Sequence, residues 1–289
     1  MSRNHPVVAV TGSSGAGTSN VKRAFEHIFR IERLRAAVVE GDSYHRYDRE
    51  TMDKKARRAK FQGKRLTHFG PEGNLFEELE KLFRLYGENG RGRRRHYIHN
   101  EEEAAEHGQS PGTLTAWESL PEDTDLLLYE GLHGGVVTDK VDVRKHVDLL
   151  IGVAPIINLE WIQKICRDQA GRGYSADDAT QMILSRMYDY VHYILPQFSL
   201  TDINFQRLPT IDTSNPFAME SIPTDEQSLW IIHIRNPRRI GVDYEQLLKM
   251  IEGSFMSAAD TIVVPAAKKT YAMQLITSPV IHQMMAERY

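Results

Sequence analysis

The sequence predicts an α/β fold, with a mostly parallel, twisted sheet that is flanked by helices. Three observations predict it. Near-continuous apolar runs such as DLLLYEG (125–131) and VDLLIGVAP (147–155) are typical of parallel strands that are buried on both faces. Segments with helical spacing of apolar residues alternate with these runs along the chain. At the N-terminus, a short strand pattern, a glycine-rich turn and an amphipathic helix follow one another directly.

The first half of the chain contains three predicted elements and one long polar segment. A buried strand is predicted at 7–10 (VVAV). The helix after the glycine-rich turn has an apolar face that consists of Val21, Ala24, Phe25, Ile28 and Phe29. A second strand at 36–42 ends in acidic residues. Residues 43–124 are polar and have few strand signals, which predicts an insertion over the carboxyl edge of the sheet.

The second half alternates strands and helices. Strands are predicted at 125–131, 147–155, 228–235 and 261–265. Helices are predicted at 158–170, 176–195, 243–256 and 270–288. Ser175 and Asp178 have capping-box spacing, which marks the start of the second of these helices. We expect residues 1–289 to form one domain, with 43–124 as a lid-rich insertion.

The composition excludes several classes of protein. Of the 289 residues, 41% are hydrophobic and 26% are charged, which is typical of a protein with a buried core. The formal net charge of −3 gives no overall attraction to nucleic acid. No apolar run approaches the roughly 20 residues of a membrane span, and we find no secretory signal. Cys166 is the only cysteine, so no internal disulfide forms. We expect a cytoplasmic protein that does not bind membranes.

The turn VTGSSGAGTS (10–19) has the spacing of a phosphate-binding loop, G-x-x-x-x-G-K-[ST]. In such a loop, consecutive backbone N–H groups converge on a triphosphate at the N-terminus of a helix. The predicted ATP-binding residues are Gly12, Ser13, Ser14, Gly15, Ala16, Gly17, Thr18 and Ser19. Thr18 stands where the pattern has a lysine, so the charge for the outer phosphates must come from elsewhere. The alternative is a tight turn that needs only small residues.

Two acidic residues end predicted strands. Glu130 follows DLLLY, in the position of an acid that holds Mg²⁺ directly or through water, and the Ser19 hydroxyl is the second predicted ligand. Asp42 lies at the edge where open α/β sheets bind ligands. A carboxylate there can accept the proton of an attacking hydroxyl. Taken singly, a strand-end acid is as often a helix cap or a solvated turn residue.

A predicted helix has cations on one face. In INLEWIQKICRDQAGRG (157–173), Lys164, Arg167, Asp168 and Arg172 share that face. A kinase without the loop lysine needs cations from a lid, and Lys164 is our candidate for the missing charge. The alternative is a solvated face on which Asp168 is only a salt-bridge partner.

Basic residues also follow Asp42 directly. His45, Arg46 and Arg49 lie within seven residues of it, and they indicate an acceptor that already carries a phosphate. The alternative is a polar loop with ordinary charges. Two further basic clusters at 54–65 and 91–99 each contain one large aromatic residue, which favours steering or lid contacts over a nucleic-acid platform. With no H-x-x-x-H pair and one cysteine, a protein-bound transition metal is not expected.

The chain resembles the bacterial-type phosphoribulokinases. The segments that carry the resemblance are VTGSSGAGTS, EGDSYHRYDR, LYEGLHGG, INLEWIQKICRDQAGRG, PQFSLTDINFQRLPTIDTSNPF and GSFMS. The resemblance extends from about residue 5 to 285, and threonine in place of the loop lysine is itself the form of that bacterial class. Uridine kinase and pantothenate kinase are wider relatives. The resemblance implies a P-loop kinase fold whose parallel sheet has antiparallel strands added at an edge.

The resemblance also implies a reaction and residue roles. The reaction transfers the γ-phosphoryl group of Mg-ATP to the 1-hydroxyl of D-ribulose 5-phosphate, giving ribulose 1,5-bisphosphate. Asp42 then matches the catalytic base and Glu130 the metal-binding acid. His45 and Arg49 match residues that bind the sugar phosphate, and His99 matches a histidine near the active site. The residues that match the cationic lid are Lys164, Arg167, Asp168 and Arg172. A homo-oligomer, activation by NADH and inhibition by AMP are further implications.

Two departures from the family pattern concern substrate contacts and regulation. Some members have a lysine four residues after Arg49, where this chain has Asp53, with Lys54 next. Arg186 stands where some members have two arginines that are tied to regulation.

The alternative functions are a sibling kinase for a nucleoside or another sugar phosphate, and a silent nucleotide-binding regulator. A GTPase switch needs an N-K-x-D motif, which is absent.

Overall fold

The computed structural model describes residues 4–12, 18–172 and 175–288. The strands are β1 (Val7–Gly12), β2 (Ala36–Glu40), β3 (Arg93–Arg94), β4 (Glu118–Ser119), β5 (Leu126–Gly131), β6 (Leu149–Val153), β7 (Ile203–Pro209), β8 (Ser228–Ile234), β9 (Phe255–Ala258) and β10 (Thr261–Pro265). The helices are α1 (Thr18–Ile31), α2 (Arg49–Phe61), α3 (Phe76–Asn89), α4 (Glu101–His107), α5 (Ile157–Arg172), α6 (Ala176–Asp189), α7 (Leu195–Phe198), α8 (Pro237–Ile240), α9 (Tyr244–Met250) and α10 (Lys269–Ala286).

An eight-stranded mixed sheet has the strand order β2-β5-β1-β6-β7-β8-β10-β9. The neighbours from β2 to β7 pair in parallel, whereas β8, β10 and β9 are joined by antiparallel pairs. The prediction of a mostly parallel sheet with antiparallel additions at one edge is confirmed. Strand β1 lies between β5 and β6, so the chain after Gly12 leaves the middle of the parallel part.

Helices cover both faces of the sheet. On one face, α1 and α10 pack on strand residues such as Val8, Ile151 and Ile232. All five residues of the predicted apolar face of α1 are buried there. On the other face, α3 packs on Val7, Leu127 and neighbouring residues. The buried residues that α3 contributes are Phe76, Leu79, Leu82, Phe83 and Tyr86. The segment 43–124 therefore supplies a covering layer as well as the polar loops near the sheet edge.

The structure differs from the predicted elements in the second half of the chain. The helix predicted at 243–256 is wrong beyond Met250, because Gly253 adopts a left-handed conformation (φ +81°) and β9 follows. Strand β7 was not predicted. The helix predicted at 176–195 ends at Asp189 and continues as a π-helical turn, Tyr190–Ile194. Its start is confirmed, because Oγ of Ser175 accepts from the Asp178 N–H at 3.1 Å.

Candidate active site

The two predicted strand-end acids lie on adjacent strands. Glu130 of β5 is in register with Glu40 of β2 on one side and with Val10 of β1 on the other. Asp42 follows two residues after Glu40, in the 3₁₀ turn Gly41–Tyr44. Gly41 and Gly131 let the ends of β2 and β5 approach each other, because a Cβ atom on Gly41 would lie 2.9 Å from the Cα atom of Gly131. The predicted base and metal-binding acid therefore share one edge of the sheet.

The structure describes the residues before and after the predicted phosphate-binding loop. The predicted residues outside the description are Ser13, Ser14, Gly15, Ala16 and Gly17. Strand β1 ends at Gly12 and α1 begins at Thr18, which confirms the strand and the helix that the motif requires. The side chains of Thr18 and Ser19 are not described. One cation here was not predicted: Lys22 of α1 forms an ion pair of 2.5 Å with Glu40.

Asp42 is surrounded by histidines. Its Oδ1 atom lies 3.2 Å from Nε2 of His45, and its Oδ2 atom lies 3.8 Å from Nε2 of His99. Burial raises the pKa of this carboxyl, but His45, His99 and His68 outweigh it and hold the pKa well below its usual range. The side chain is 35% exposed. Asp42 is therefore an ionised carboxylate that a substrate can reach.

Arg49, His99 and Tyr97 complete the group around Asp42. Arg49 begins α2, and its Nη2 atom donates to the carbonyl oxygen of His99 over 3.5 Å, with a second hydrogen bond to the Tyr97 hydroxyl. The Tyr97 ring is 5.9 Å from the His45 ring and 5.0 Å from the His99 ring. The structure thus brings His45, Arg49 and His99 together, as predicted. Their roles stay predictions.

Several residues of this site were not predicted from the sequence. The His68 ring is 4.3 Å from the His45 ring, and Asn74 pairs with His45 through its side chain. Arg95 donates to the carbonyl oxygens of Ser43 (2.8 Å) and His45 (2.5 Å). Single polar residues such as His68 and Asn74 in a loop segment have no periodicity, so no sequence signal marks them. Arg46, which was predicted together with His45 and Arg49, donates to the backbone oxygen of Asn74 at 2.8 Å, and this bond ties its guanidinium to the turn.

The cationic face of α5 is folded around Asp168. The Asp168 side chain is completely buried and accepts from Nζ of Lys164, and its Oδ1 atom is 3.3 Å from Nη2 of Arg167. Lys164 is itself only 9% exposed. The alternative of a solvated face is therefore wrong for Lys164 and Asp168. The side chain of Arg172 lies outside the description.

Arg186 of α6 connects the α5 cations with the histidines electrostatically. Burial lowers the pKa of Lys164, and Arg186 and Arg167 lower it further against the opposing effect of Asp168. Burial also lowers the pKa of His68 to about 3, with His45 and Arg186 acting in the same direction. One arginine thus acts electrostatically on both Lys164 and His68.

Acid is expected to destabilise the fold through His133. Its Nε2–H donates to the carbonyl oxygen of Phe69 at 3.0 Å, and burial, then His45, lower its pKa to about 3. In the unfolded chain its pKa is about 6.5, so below pH 6.5 the unfolded state binds a proton that the folded state does not. Between pH 7 and 5 this costs about 2 kcal/mol of unfolding free energy.

Urea unfolding at pH 7 and pH 5 measures this dependence. The difference between the unfolding free energies at pH 7 and pH 5 should be smaller in His133→Asn than in the parent, even if the variant is less stable at pH 7. His27→Asn, at an exposed histidine, controls for the loss of an imidazole. An unchanged pH dependence in His133→Asn contradicts the assignment.

Comparisons with known proteins agree with this arrangement. A profile described as the phosphoribulokinase / uridine kinase family matches residues 7–214. The chromosomal phosphoribulokinase of Cupriavidus necator (strain H16) is 57% identical over 289 residues, covering 100% of this chain and 98% of the relative. The phosphoribulokinase of Nitrobacter vulgaris is 55% identical over 289 residues, with 100% and 99% covered. The structure of phosphoribulokinase from Rhodobacter spheroides matches with a TM-score of 0.91 and 49% identity, covering 99% of each chain.

Proposed function

The chain belongs to the phosphoribulokinase / uridine kinase family, and from this premise we propose that it is a phosphoribulokinase. It transfers the γ-phosphoryl group of ATP to O1 of D-ribulose 5-phosphate and releases ADP and ribulose 1,5-bisphosphate. Similarity over the full chain to proteins named phosphoribulokinase supports this choice of acceptor. The observation that carries the proposal is Asp42, an accessible carboxylate at the sheet edge, flanked by His45 and His99 and one strand away from Glu130.

Asp42 accepts the proton of the attacking hydroxyl in this mechanism. A carboxylate with a lowered pKa is a weak base, so it orients the hydroxyl first and takes the proton late. Such timing suits phosphoryl transfer, in which the transition state is loose and catalysis depends on positioning and charge. His99, on the second oxygen of the carboxylate, restricts the orientation of Asp42 further.

The nucleotide occupies the loop Gly12–Ser19 in this proposal. Glu130 and the Ser19 hydroxyl would hold Mg²⁺, which would neutralise charge on the outer phosphates of the nucleotide when bound. The described residues contain no cluster of three His, Cys, Asp or Glu side chains for a metal. Two protein oxygens still fit this ion, because Mg²⁺ in kinases keeps several waters and phosphate oxygens as ligands. Lys164, with Arg167 and Arg172, supplies the positive charge that Thr18 does not, and Asp168 orients Lys164 and Arg167.

Arg49 binds the phosphate of the acceptor. Its bond to the His99 carbonyl is long, at 3.5 Å, and therefore weak, so an incoming phosphate can replace this bond while the Tyr97 hydroxyl still holds the guanidinium. Arg46 has a shorter bond to the backbone of Asn74 and is less free to bind the phosphate. The phosphate end of the sugar then lies at the start of α2, with the reacting hydroxyl toward Asp42.

Arg49→Ala should raise KM for ribulose 5-phosphate by roughly 10- to 150-fold and leave KM for ATP nearly unchanged. The reason is the loss of a charge-assisted hydrogen bond, which is worth about 1.5–3 kcal/mol. Steady-state kinetics with each substrate varied in turn measure both constants. Arg84→Ala, at an exposed arginine on α3, is the control. Equal increases in both KM values contradict the assignment and indicate a distorted site.

Further properties belong to the same proposal. The chain forms one domain over residues 1–289, works in the cytoplasm as a homo-oligomer, and responds to NADH as activator and to AMP as inhibitor. The homo-oligomer and the two regulators follow from the family resemblance, and the single domain and the cytoplasmic location follow from the sequence pattern and the composition. Among residues 4–12, 18–172 and 175–288, no helix is long and apolar enough to cross a bilayer.

An ADP-release assay with a panel of acceptors tests the function. Ribulose 5-phosphate should give the highest kcat/KM, above ribose 5-phosphate, xylulose 5-phosphate and uridine. A higher value for a nucleoside or for another sugar phosphate replaces the proposal with a sibling kinase. The absence of turnover with every acceptor, despite ATP binding, replaces it with a silent regulator.

A further inference from the structure

Asn74 is a buried amide beside the acceptor side of the site, and the mechanism above does not use it. It is 1% exposed and follows the 3₁₀ turn Pro71–Gly73. Its Nδ2 group donates to two carbonyl oxygens, of His68 at 2.9 Å and of Gly70 at 2.7 Å. Only an NH₂ group can donate to two carbonyls, so these bonds fix the orientation of the amide. Its Oδ1 atom therefore faces His45.

The proton positions on His45 follow from this orientation. Nδ1 of His45 lies 2.9 Å from Oδ1 of Asn74, and Nε2 lies 3.2 Å from Oδ1 of Asp42. An amide oxygen and a carboxylate oxygen are both acceptors. A neutral ring with its proton on Nδ1 turns a lone pair toward the carboxylate, and one with its proton on Nε2 turns a lone pair toward the amide oxygen. An imidazolium donates to both.

We propose that Asn74 is a positioning residue that holds His45 as an imidazolium cation between itself and Asp42. The inference rests on the proposed function, in which His45 flanks Asp42 in the acceptor site and Asp42 takes the proton. The cation keeps Asp42 ionised and gives the site a lasting positive charge for a sugar phosphate. It also leaves His45 without a lone pair, so the base function belongs to Asp42.

The charged groups around His45 support the cation. Burial lowers the pKa of His45, and the Arg95 guanidinium, which donates to the His45 carbonyl, lowers it too. Asp42 and the hydrogen bond that Nδ1–H of His45 donates to Asn74 act in the opposite direction. Their combined effect is larger than that of burial and Arg95, so the pKa of His45 is raised above its usual value.

The other groups that face His45 do not compete for this charge. The rings of His68 and Tyr97 lie 4.3 Å and 5.9 Å from the His45 ring. Burial lowers the pKa of His68 and of His133 to about 3 and raises that of Tyr97, so all three stay neutral at pH 7. His45 is thus the one cation among these four rings, and Asn74 is the neutral acceptor that matches it.

Nitrogen NMR of the full-length, ¹⁵N-histidine-labelled protein without substrates tests the proton positions. Comparison with His45→Gln assigns the signals of His45. Both ring nitrogens of His45 should carry protons at pH 7, with a titration midpoint above the ordinary value of about 6.5. A neutral His45 ring at pH 7 overturns the proposal. The measurement needs no phosphoryl transfer, so its outcome is independent of whether ribulose 5-phosphate is the acceptor.

Two substitutions separate proton positioning from support of the turn. Asn74→Ala and Asn74→Asp both lose the donors to His68 and Gly70, but only the aspartate keeps an acceptor for Nδ1. The midpoint of His45 should fall by roughly one pH unit or more in Asn74→Ala, and stay at or above the parent value in Asn74→Asp. Equal titration midpoints of His45 in the two variants overturn the proposal. If neither variant folds, the protonation state of His45 in the parent protein decides.

Acceptor kinetics provide a second readout. In Asn74→Ala, the rise in KM for ribulose 5-phosphate relative to the parent should grow with increasing pH, because His45 loses its charge at a lower pH in the variant than in the parent. In a His45→Gln background the same substitution should add no pH-dependent change. Asn158→Ala, which removes an amide that donates to the Thr213 carbonyl at 2.9 Å, is the matched control. A pH-independent rise in KM means that Asn74 only supports the turn.

Discussion

Asp42→Asn is expected to lower kcat by roughly 10²- to 10⁴-fold while ATP still binds with an affinity close to that of the parent. The amide keeps the size of the side chain but cannot accept the hydroxyl proton. It also removes the negative charge that faces His45 and His99, so a moderate rise in KM for the acceptor accompanies the loss of turnover.

Single-turnover kinetics and ATP binding by fluorescence, measured on the same preparation, check this prediction. Asp139→Asn, at an exposed aspartate, controls for the loss of one carboxylate. A kcat within a few-fold of the parent value would assign the base to another residue. Loss of ATP binding would indicate that the sheet edge has collapsed rather than that a base has been removed.

Lys164→Met should lower kcat by about 10²- to 10³-fold, the range found when one preorganised donor to a transition-state charge is removed. Thr18 leaves the outer phosphates without the usual loop lysine, and Lys164 on α5, which is paired with the buried Asp168, is our candidate to replace it. Since the contact forms mainly in the transition state, kcat and kcat/KM should fall together and ATP affinity should change little.

The ion pair with Asp168 determines the controls for this variant. Removal of Lys164 leaves a buried carboxylate with Arg167 as its remaining cation among the contacts described above, and breaking a buried pair costs about 3–5 kcal/mol. Thermal unfolding of the variant must therefore accompany the kinetics, with Lys140→Met as an exposed control. Adding Thr18→Lys should restore kcat only in part, since the two ammonium groups approach the phosphates from different sides. A kcat near the parent value with unchanged KM values contradicts the lid-cation hypothesis.

The parallel part of the fold was predictable because burial on both faces leaves a strong signal. The strands β1, β5 and β6 are almost wholly apolar, and the glycines at 41 and 131 are placed where two chain ends touch. Strand β7 was missed because only alternate residues, such as Ile203 and Phe205, are buried there. Strand β9 lies at the sheet edge and is mostly exposed, so its residues carry no burial pattern.

Site residues were predictable from the sequence where an acidic residue comes at the end of a predicted strand. Asp42 and Glu130 meet this condition, and His45 and Arg49 were found by their closeness to Asp42 in the chain. Asn74 does not meet it, because its importance arises from three hydrogen bonds that only the folded turn creates. The burial of Asp168 was also not predictable, since a helical face of alternating charge is usually solvated.

Phosphorus NMR of the reaction mixture tests the central claim most directly. With equimolar ATP and ribulose 5-phosphate, the account predicts that the ATP signals give way to ADP and to two phosphomonoester signals of equal intensity from one sugar bisphosphate, phosphorylated at O1 and O5. The Asp42→Asn enzyme should leave the mixture unchanged over the same interval. ATP consumption that yields inorganic phosphate, or a phosphorylated product that forms only from a nucleoside, contradicts it.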